Sequence, residues 1–317
     1  MKSKPNRSLT RRAAIKTALA GAAVAAIGPT ALSAKDRNVP AGYVDCHSHI
    51  WTRDVKKYPL AEGKTVADLD PPSFTTEELL ALARPLGVGR VVLIAHTQYY
   101  VYDNTYMVDA AKAHPGVFSV VGALDHELPR VAERMRKNLG DHIRSYRIAS
   151  WRDPKGWLQG EGMTQMWTTA AEEGISMGLL LNPENLPQVD RMCEKFPDTP
   201  VVIDHFGRVG VDGEIRKKDL DNLCRLARHK HVHVKVSAYY ALGKKQPPYL
   251  DLAPMIRRVL DAYGANRCMW GSDAPYQIVP PHTYQASLDL VTKQLDFLSD
   301  EDRSWLLGKT AEKVYFA

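Results

Sequence analysis

The chain has 317 residues, 44% of them hydrophobic, with 42 Lys+Arg against 36 Asp+Glu and a sequence pI near 9.0. The basic excess does not point to nucleic acid. Lys2, Lys4, Arg7, Arg11, Arg12 and Lys16 all lie in an acid-free stretch over residues 1–34, and without those six the two signs balance at 36 each, leaving no basic patch.

That stretch continues into a small, apolar run over 17–32 and the cleavage-type context Ala31-Leu32-Ser33-Ala34. Thr10-Arg11-Arg12-Ala13-Ala14-Ile15-Lys16 resembles the twin-arginine export signal, with Ala14 where that pattern prefers a bulky apolar residue. Residues 1–34 therefore read as a leader for the Tat export machinery, with a periplasmic or extracellular product that has no membrane segment after processing. Residues 35–317 are long enough for a large core and read as one domain. Cys46, Cys193, Cys224 and Cys268 form no CxxC pair and are expected as free, mostly buried thiols, since the twin-arginine route carries proteins folded in the reducing cytosol.

After the leader, residues 42–51 read as a strand. Residues 52–73 are irregular, punctuated by Pro59, Gly63, Pro71 and Pro72, and sit where a lid would follow the first strand. Thr75 to Glu78 has the capping-box spacing, and Leu79, Leu80, Leu82, Ala83 and Leu86 give a helical face that Gly87 ends. Strands then recur over 88–96, 117–124, 145–150, 175–181, 201–205, 232–237 and 268–272, with helices over 104–114, 129–139, 163–173, 186–196, 218–229, 252–263 and 284–298. Apolar strands alternating with helices of this length predict a parallel sheet covered on both faces. Eight such units predict an α/β fold, a (β/α)8 TIM barrel, with an open doubly wound sheet as the rival. The polar residues favour the barrel: His47, His49, His96, Asp125, Arg147, Asn182, His205, Ser237 and Asp273 all fall at or just past the carboxyl ends of strands, which converge on one mouth only if the sheet closes. Residues 300–317 read as a helix packing Trp305, Leu306, Leu307, Val314 and Phe316 on the barrel.

Side chains alternate along a strand, so His47 and His49 are expected on one face and Cys46 and Ser48 on the other. Closure sets Asp273 of the eighth strand beside the two histidines. Two imidazoles and a carboxylate suit one divalent metal, zinc by donor type; with no metal, Asp273 can act as general base toward a water held by the histidines. Arg147 is hard to bury unpaired and is expected to meet an anionic group, either of substrate or of Asp125. Gln98 and Tyr99 after the second strand and Ser237 after the seventh are expected substrate contacts, with Tyr100, Asp103, Asn104, Tyr239 and Tyr240 near them and His96 at the mouth. His229, His231 and His233 alternate like a ligand cluster but open the seventh strand, at the barrel's stability end. Trp151, Trp157 and Trp167 fit either a sugar-stacking platform or helix cover.

His47-Ser48-His49, Asp204-His205-Phe206-Gly207 and Trp270-Gly271-Ser272-Asp273-Ala274-Pro275 together resemble the amidohydrolase superfamily, and more narrowly its amidohydrolase-related branch, which includes 2-pyrone-4,6-dicarboxylate and L-fucono lactonases. The resemblance implies His47 and His49 as the paired active-site histidines, His205 as the strand-six histidine and Asp273 as the aspartate that handles the proton of the attacking water. Two departures argue against a two-metal site. Strand four, Ser145-Tyr146-Arg147-Ile148, has no bridging lysine or glutamate, and strand five, Leu179-Leu180-Leu181-Asn182, has no histidine. One divalent metal or none is then expected, some lactonases of the branch working without any. The implied reaction is hydrolysis of a lactone or related cyclic ester carrying a carboxylate or several hydroxyls. Arg147 anchors the anion, and the carbonyl is polarised by His205, the metal or both. The alternatives are metal-dependent non-oxidative decarboxylation of an aromatic or dienoic acid, and an exported binding protein that has lost catalysis. The lactone is preferred because strand five lacks the extra histidine of the metal-dependent decarboxylases, and because Val236-Ser237 and Asp204-His205 read closer to the lactonases.

Overall fold

The computed structural model describes residues 42–151 and 153–317. The predicted leader and its cleavage site lie outside the described residues. Eight strands, β1 Tyr43–Ser48, β2 Val88–Ile94, β3 Phe118–Gly122, β4 Ile143–Ala149, β5 Ser176–Leu180, β6 Val201–Ile203, β7 Val232–Ser237 and β8 Cys268–Gly271, pair in parallel and in sequence order. Past the end of β8 the sheet closes on β1. The Asp273 amide donates to the His47 carbonyl and the His49 amide to the Ala274 carbonyl, both at 2.8 Å, with Ser48 bridged to Ala274 in parallel. The predicted (β/α)8 barrel is the observed fold.

Helices Thr76–Ala83, Thr105–Ala113, Val131–Leu139, Glu161–Glu173, Leu186–Lys195, Lys217–Arg225, Ala253–Tyr263 and Tyr284–Asp289 follow the eight strands in turn. Thr75 caps the first through a capping box with Glu78, as its spacing predicts. Outward residues such as Val91, Leu93, Val234, Val236 and Trp270 join the helices in one large core. Inward residues Val44, Cys46, Val92, Ile94, Val121, Val202 and Met269 form a second cluster with Ala311 and Tyr315 of the terminal helix Thr310–Tyr315. The Ser119 hydroxyl donates to the Tyr315 carbonyl at 2.7 Å. The terminal segment therefore packs on the barrel through Leu306, Leu307, Val314 and Phe316 as expected, with Tyr315 supplying part of the inner packing, whereas Trp305 is half-buried beneath Lys309 and joins neither cluster.

Two local expectations change. The register of β1 against β2 slips between Asp45 and Ser48. Cys46 joins Val44 in the inner cluster, as alternation from Val44 requires, and His47 next to it also reaches the mouth, so strict alternation fails between Cys46 and His47. Residues 52–73, expected as a lid, are tied down: the Trp51 indole donates to Pro71 O at 2.7 Å, Ala61 N to Tyr99 O at 2.7 Å and Asp70 N to the Tyr99 hydroxyl at 3.0 Å. All four cysteines are free, and all but Cys224 are buried. No helix among the described residues is long and apolar enough to cross a membrane.

The β8–β1 seam requires a glycine. A Cβ on Gly271 would lie 2.9 Å from His47 Cβ, 3.0 Å from His47 N and 3.1 Å from Cys46 Sγ. Gly271→Ala is expected to destabilise the fold by about 1–3 kcal/mol through overpacking. Urea or thermal unfolding followed by circular dichroism measures this, and an unchanged midpoint would show that the seam has slack.

Candidate active site

Asp45, buried on β1, holds the seam from below. Its carboxylate accepts from Ser272 N at 2.8 Å, Ser272 Oγ at 2.5 Å, the Tyr284 hydroxyl at 2.8 Å and the His47 amide at 3.0 Å. Burial pushes its carboxyl up to about 6, against the pull of these hydrogen bonds. The next functional side chains on either side of the seam are His47 and Asp273.

Asp273 stands at the centre of the mouth. It has a left-handed backbone, φ 63°, which turns the chain out of β8. Oδ1 lies 3.4 Å from both His47 Nε2 and His49 Nε2, and Oδ2 lies 3.6 Å from His205 Nε2. The Tyr240 hydroxyl donates to Oδ2 at 2.8 Å, while Oδ1 is buried with no hydrogen-bond partner. Burial raises the Asp273 carboxyl, only partly offset by His205 and Tyr240.

His205 reaches this point through a left-handed turn, with φ between 52° and 61° from His205 to Arg208. Left-handed non-glycine residues cost on the order of 1 kcal/mol each, and such runs persist where surrounding packing dictates them. Its Nδ1 is 2.8 Å from Ser237 Oγ. A Ser237 hydroxyl that donates there leaves the ring proton on Nε2, facing Asp273 and the cleft. Burial lowers the His205 pKa, opposed by Asp273 and Asp204.

His49 is held by Nδ1, which donates to the Ile94 carbonyl at 2.9 Å. Burial first, then Arg147, brings its pKa down to about 3, so the ring is neutral and Nε2 presents a lone pair. That lone pair faces the Asp273 Oδ1 lone pairs across 3.4 Å, and His47 Nε2 beside them has no hydrogen-bond partner. Facing acceptors in a buried site call for a cation or a proton between them, or a water bridging both from the cleft. The donor set His47, His49 and Asp273, with ligand atoms all within 4.8 Å of one another, fits one divalent ion. The carbonyl on His49 Nδ1 is the outer support a metal-binding imidazole takes.

The mouth opens into a cleft of about 270 Å³ lined by His49, His96, Gln98, Arg147, Trp151, Arg208, Tyr240, Asp273 and Tyr276 among others. Of the expected substrate contacts, Gln98 and Arg147 line this cleft with His205. Tyr99 and Ser237 are set behind it: Tyr99 packs on Trp51 and His96, and Ser237 lies beneath His205. Arg147 does not pair with Asp125, which accepts from Glu127 N and lines a separate surface groove. The acid beside it is Asp204, whose Oδ2 is 3.7 Å from Arg147 Nε, because both project inward. His96 is neutral, burial bringing it down to about 2, and its Nε2 lies 2.6 Å from the Tyr276 hydroxyl. Trp151, 48% exposed, borders the cleft, whereas Trp157 and Trp167 are buried in the core. His229 pairs with Asp190 at 2.7 Å, away from the mouth.

Sequence reasoning passed over Asp204, Arg208, Lys235 and Tyr276 as working residues. Lys235 carried a readable signal, an ammonium in the middle of the apolar run Val232–Ser237, which demands a buried partner. Arg208, held by Asn182 Oδ1 at 2.8 Å, had none, because its inward aim depends on the left-handed turn.

Residues 44–317 match the family profile described as Amidohydrolase. The chain is 27% identical over 284 residues to an L-fucono-1,5-lactonase of Burkholderia ambifaria, covering 86% of this chain and 94% of that protein. It is 24% identical over 283 residues to a 4-sulfomuconolactone hydrolase of Hydrogenophaga intermedia, covering 87% and 89%. A crystal structure of an amidohydrolase from Burkholderia multivorans with bound zinc superposes with a TM-score of 0.71 at 22% identity, covering 87% of this chain and 99% of that one. With its barrel, its histidine pair and its strand-eight aspartate lying within the matched span, the chain belongs to the amidohydrolase family and is a hydrolase.

Proposed function

We propose that the protein is a lactonase that opens a lactone or related cyclic ester bearing an anionic group. The observation that carries this reading is the Asp273 carboxylate, buried, raised in pKa, held by Tyr240 through Oδ2 and left with an unpaired Oδ1 at the floor of the cleft. Such a group is a base poised to take a proton from water held between it and the histidine pair. The water oxygen adds to the carbonyl carbon, and the Nε2–H of neutral His205 faces the oxygen on which negative charge develops. Collapse breaks the ring C–O bond, and the proton on Asp273 passes to the departing alkoxide, so a hydroxy acid leaves and the base is restored. A divalent ion on His47, His49 and Asp273 would supply Lewis acidity and a more acidic water. The zinc in the Burkholderia multivorans neighbour supports zinc as that ion. Two guanidiniums in the cleft, Arg147 and Arg208, support an anionic substrate over a neutral polyol. The lactone hydrolases among the relatives support the ester over the carboxylic acid that a decarboxylase would take.

We also propose that residues 1–34 direct export. Replacing Arg11 and Arg12 with lysine should leave a longer precursor in the cytoplasm, and export unaffected by the change would refute the leader.

The reaction is tested by incubating purified protein with sugar lactones and pyrone carboxylates while following proton release, and with benzoate-type acids while following carbon dioxide. Ring opening is expected; carbon dioxide without ring opening would make the enzyme a decarboxylase, and ligand binding without turnover would make it a binding protein. Asp273→Asn should lower turnover by about 10² to 10⁴ with the fold retained. Tyr240→Phe frees Asp273 Oδ2 and should lower kcat by roughly 10- to 100-fold with little change in KM. A KM effect alone would place Tyr240 on the substrate instead.

A further inference from the structure

Lys235 is the one buried lysine among the described residues, only 1% exposed. Its β7 neighbours Val234 and Val236 face the outer core, so Lys235 points into the barrel. Its Nζ lies 3.1 Å from Asp204 Oδ1, 3.2 Å from His47 Nδ1 and 5.5 Å from the Tyr315 ring centre. A buried ammonium without a carboxylate partner would lose its proton or destabilise the fold, and Asp204 supplies that partner.

The partners of this ammonium are themselves a metal-type donor set. His47, Asp204 and His205 have ligand atoms all within 4.8 Å of one another, a second group that shares His47 with that of His47, His49 and Asp273, Nδ1 facing Asp204 and Nε2 facing Asp273. Lys235 Nζ is in contact with two of its three members. Arg147, the other cation near Asp204, approaches the opposite oxygen at 3.7 Å, while Oδ1 is shared by Lys235 and by His47 Nδ1 at 3.5 Å; a ring proton on Nδ1, directed at Asp204, keeps the Nε2 lone pair of His47 for the ion at the mouth.

We infer that the Lys235 ammonium is a built-in cation standing where a second metal ion would sit, so that the barrel takes at most one divalent ion, at His47, His49 and Asp273. The ammonium supplies the positive charge that Asp204 requires, as a fixed part of the chain. A lysine here gives the barrel a reason to stay at one metal that is separate from the missing ligands on β4 and β5. The inference concerns the cation count and holds whichever ester the enzyme opens.

Zinc content after dialysis against zinc and then zinc-free buffer tests it. Lys235→Met should hold one equivalent of zinc per chain more than the unmodified protein, Lys235→Arg should match the unmodified protein, and Lys235→Met with Asp204→Asn should lose the gain. An unmodified protein already holding two equivalents, a Lys235→Met variant with no gain, or a gain that survives Asp204→Asn would each overturn the proposal. If Lys235→Met does not fold in metal-free buffer, added zinc should restore its folded circular dichroism spectrum, and failure to do so also overturns it. Turnover of lactones plays no part in these readings, so a failed lactonase assignment leaves them intact.

Discussion

The carboxylate of Asp45 ties the first strand to the last, accepting from Ser272 and Tyr284 on one side of the seam and from the His47 amide on the other. An eight-stranded parallel sheet has two free edges until something joins them, and here the joint consists of a saturated buried acceptor, a glycine that allows close approach and two backbone hydrogen bonds. Everything at the mouth depends on this joint. In an open sheet the histidine pair and Asp273 would sit at opposite edges; in the closed one they share a carboxylate oxygen at 3.4 Å.

Above the seam, burial governs protonation. His47, His49, His96 and His205 are all pushed down by desolvation, and Asp273 is pushed up by the same cause. Neutral imidazoles serve as ligands and hydrogen-bond donors, and a carboxylate that is reluctant to ionise is a stronger base. Permanent charge is kept one layer lower, in the pair of Asp204 with Lys235, and to one side, at Arg147. The two cations add to the effect of burial, Lys235 on His47 and Arg147 on His49, so both imidazoles are kept neutral.

The aromatic wall formed by Trp51, Tyr99, His96 and Tyr276 has an architectural role of its own. It anchors residues 52–73 from behind and presents the His96–Tyr276 hydrogen bond toward the cleft. The site is thereby packed and held along this wall, while Trp151 and Gln98 are exposed residues of the cleft lining, where substrates of different shape would meet different contacts.

Periodicity alone was enough to count the eight strand-and-helix units, and the placing of polar residues at strand ends was enough to choose a barrel, because both follow from local burial patterns written along the chain. His47, His49, His205 and Asp273 were legible as a cluster for the same reason, given closure. What pairs with what was decided by tertiary structure. Lys235 and His47 are 188 residues apart, and nothing local tells Arg147 to approach Asp204 in place of Asp125. Nor could alternation be trusted between Cys46 and His47, since a register slip depends on the neighbouring strand, or at Tyr99, since the four-residue helix Thr97–Tyr100 turns Gln98 to the cleft and Tyr99 to the wall. The chain's own pattern determined which residues would be inside and at which end; the distances that make them chemically competent came only from the packing of segments remote in sequence.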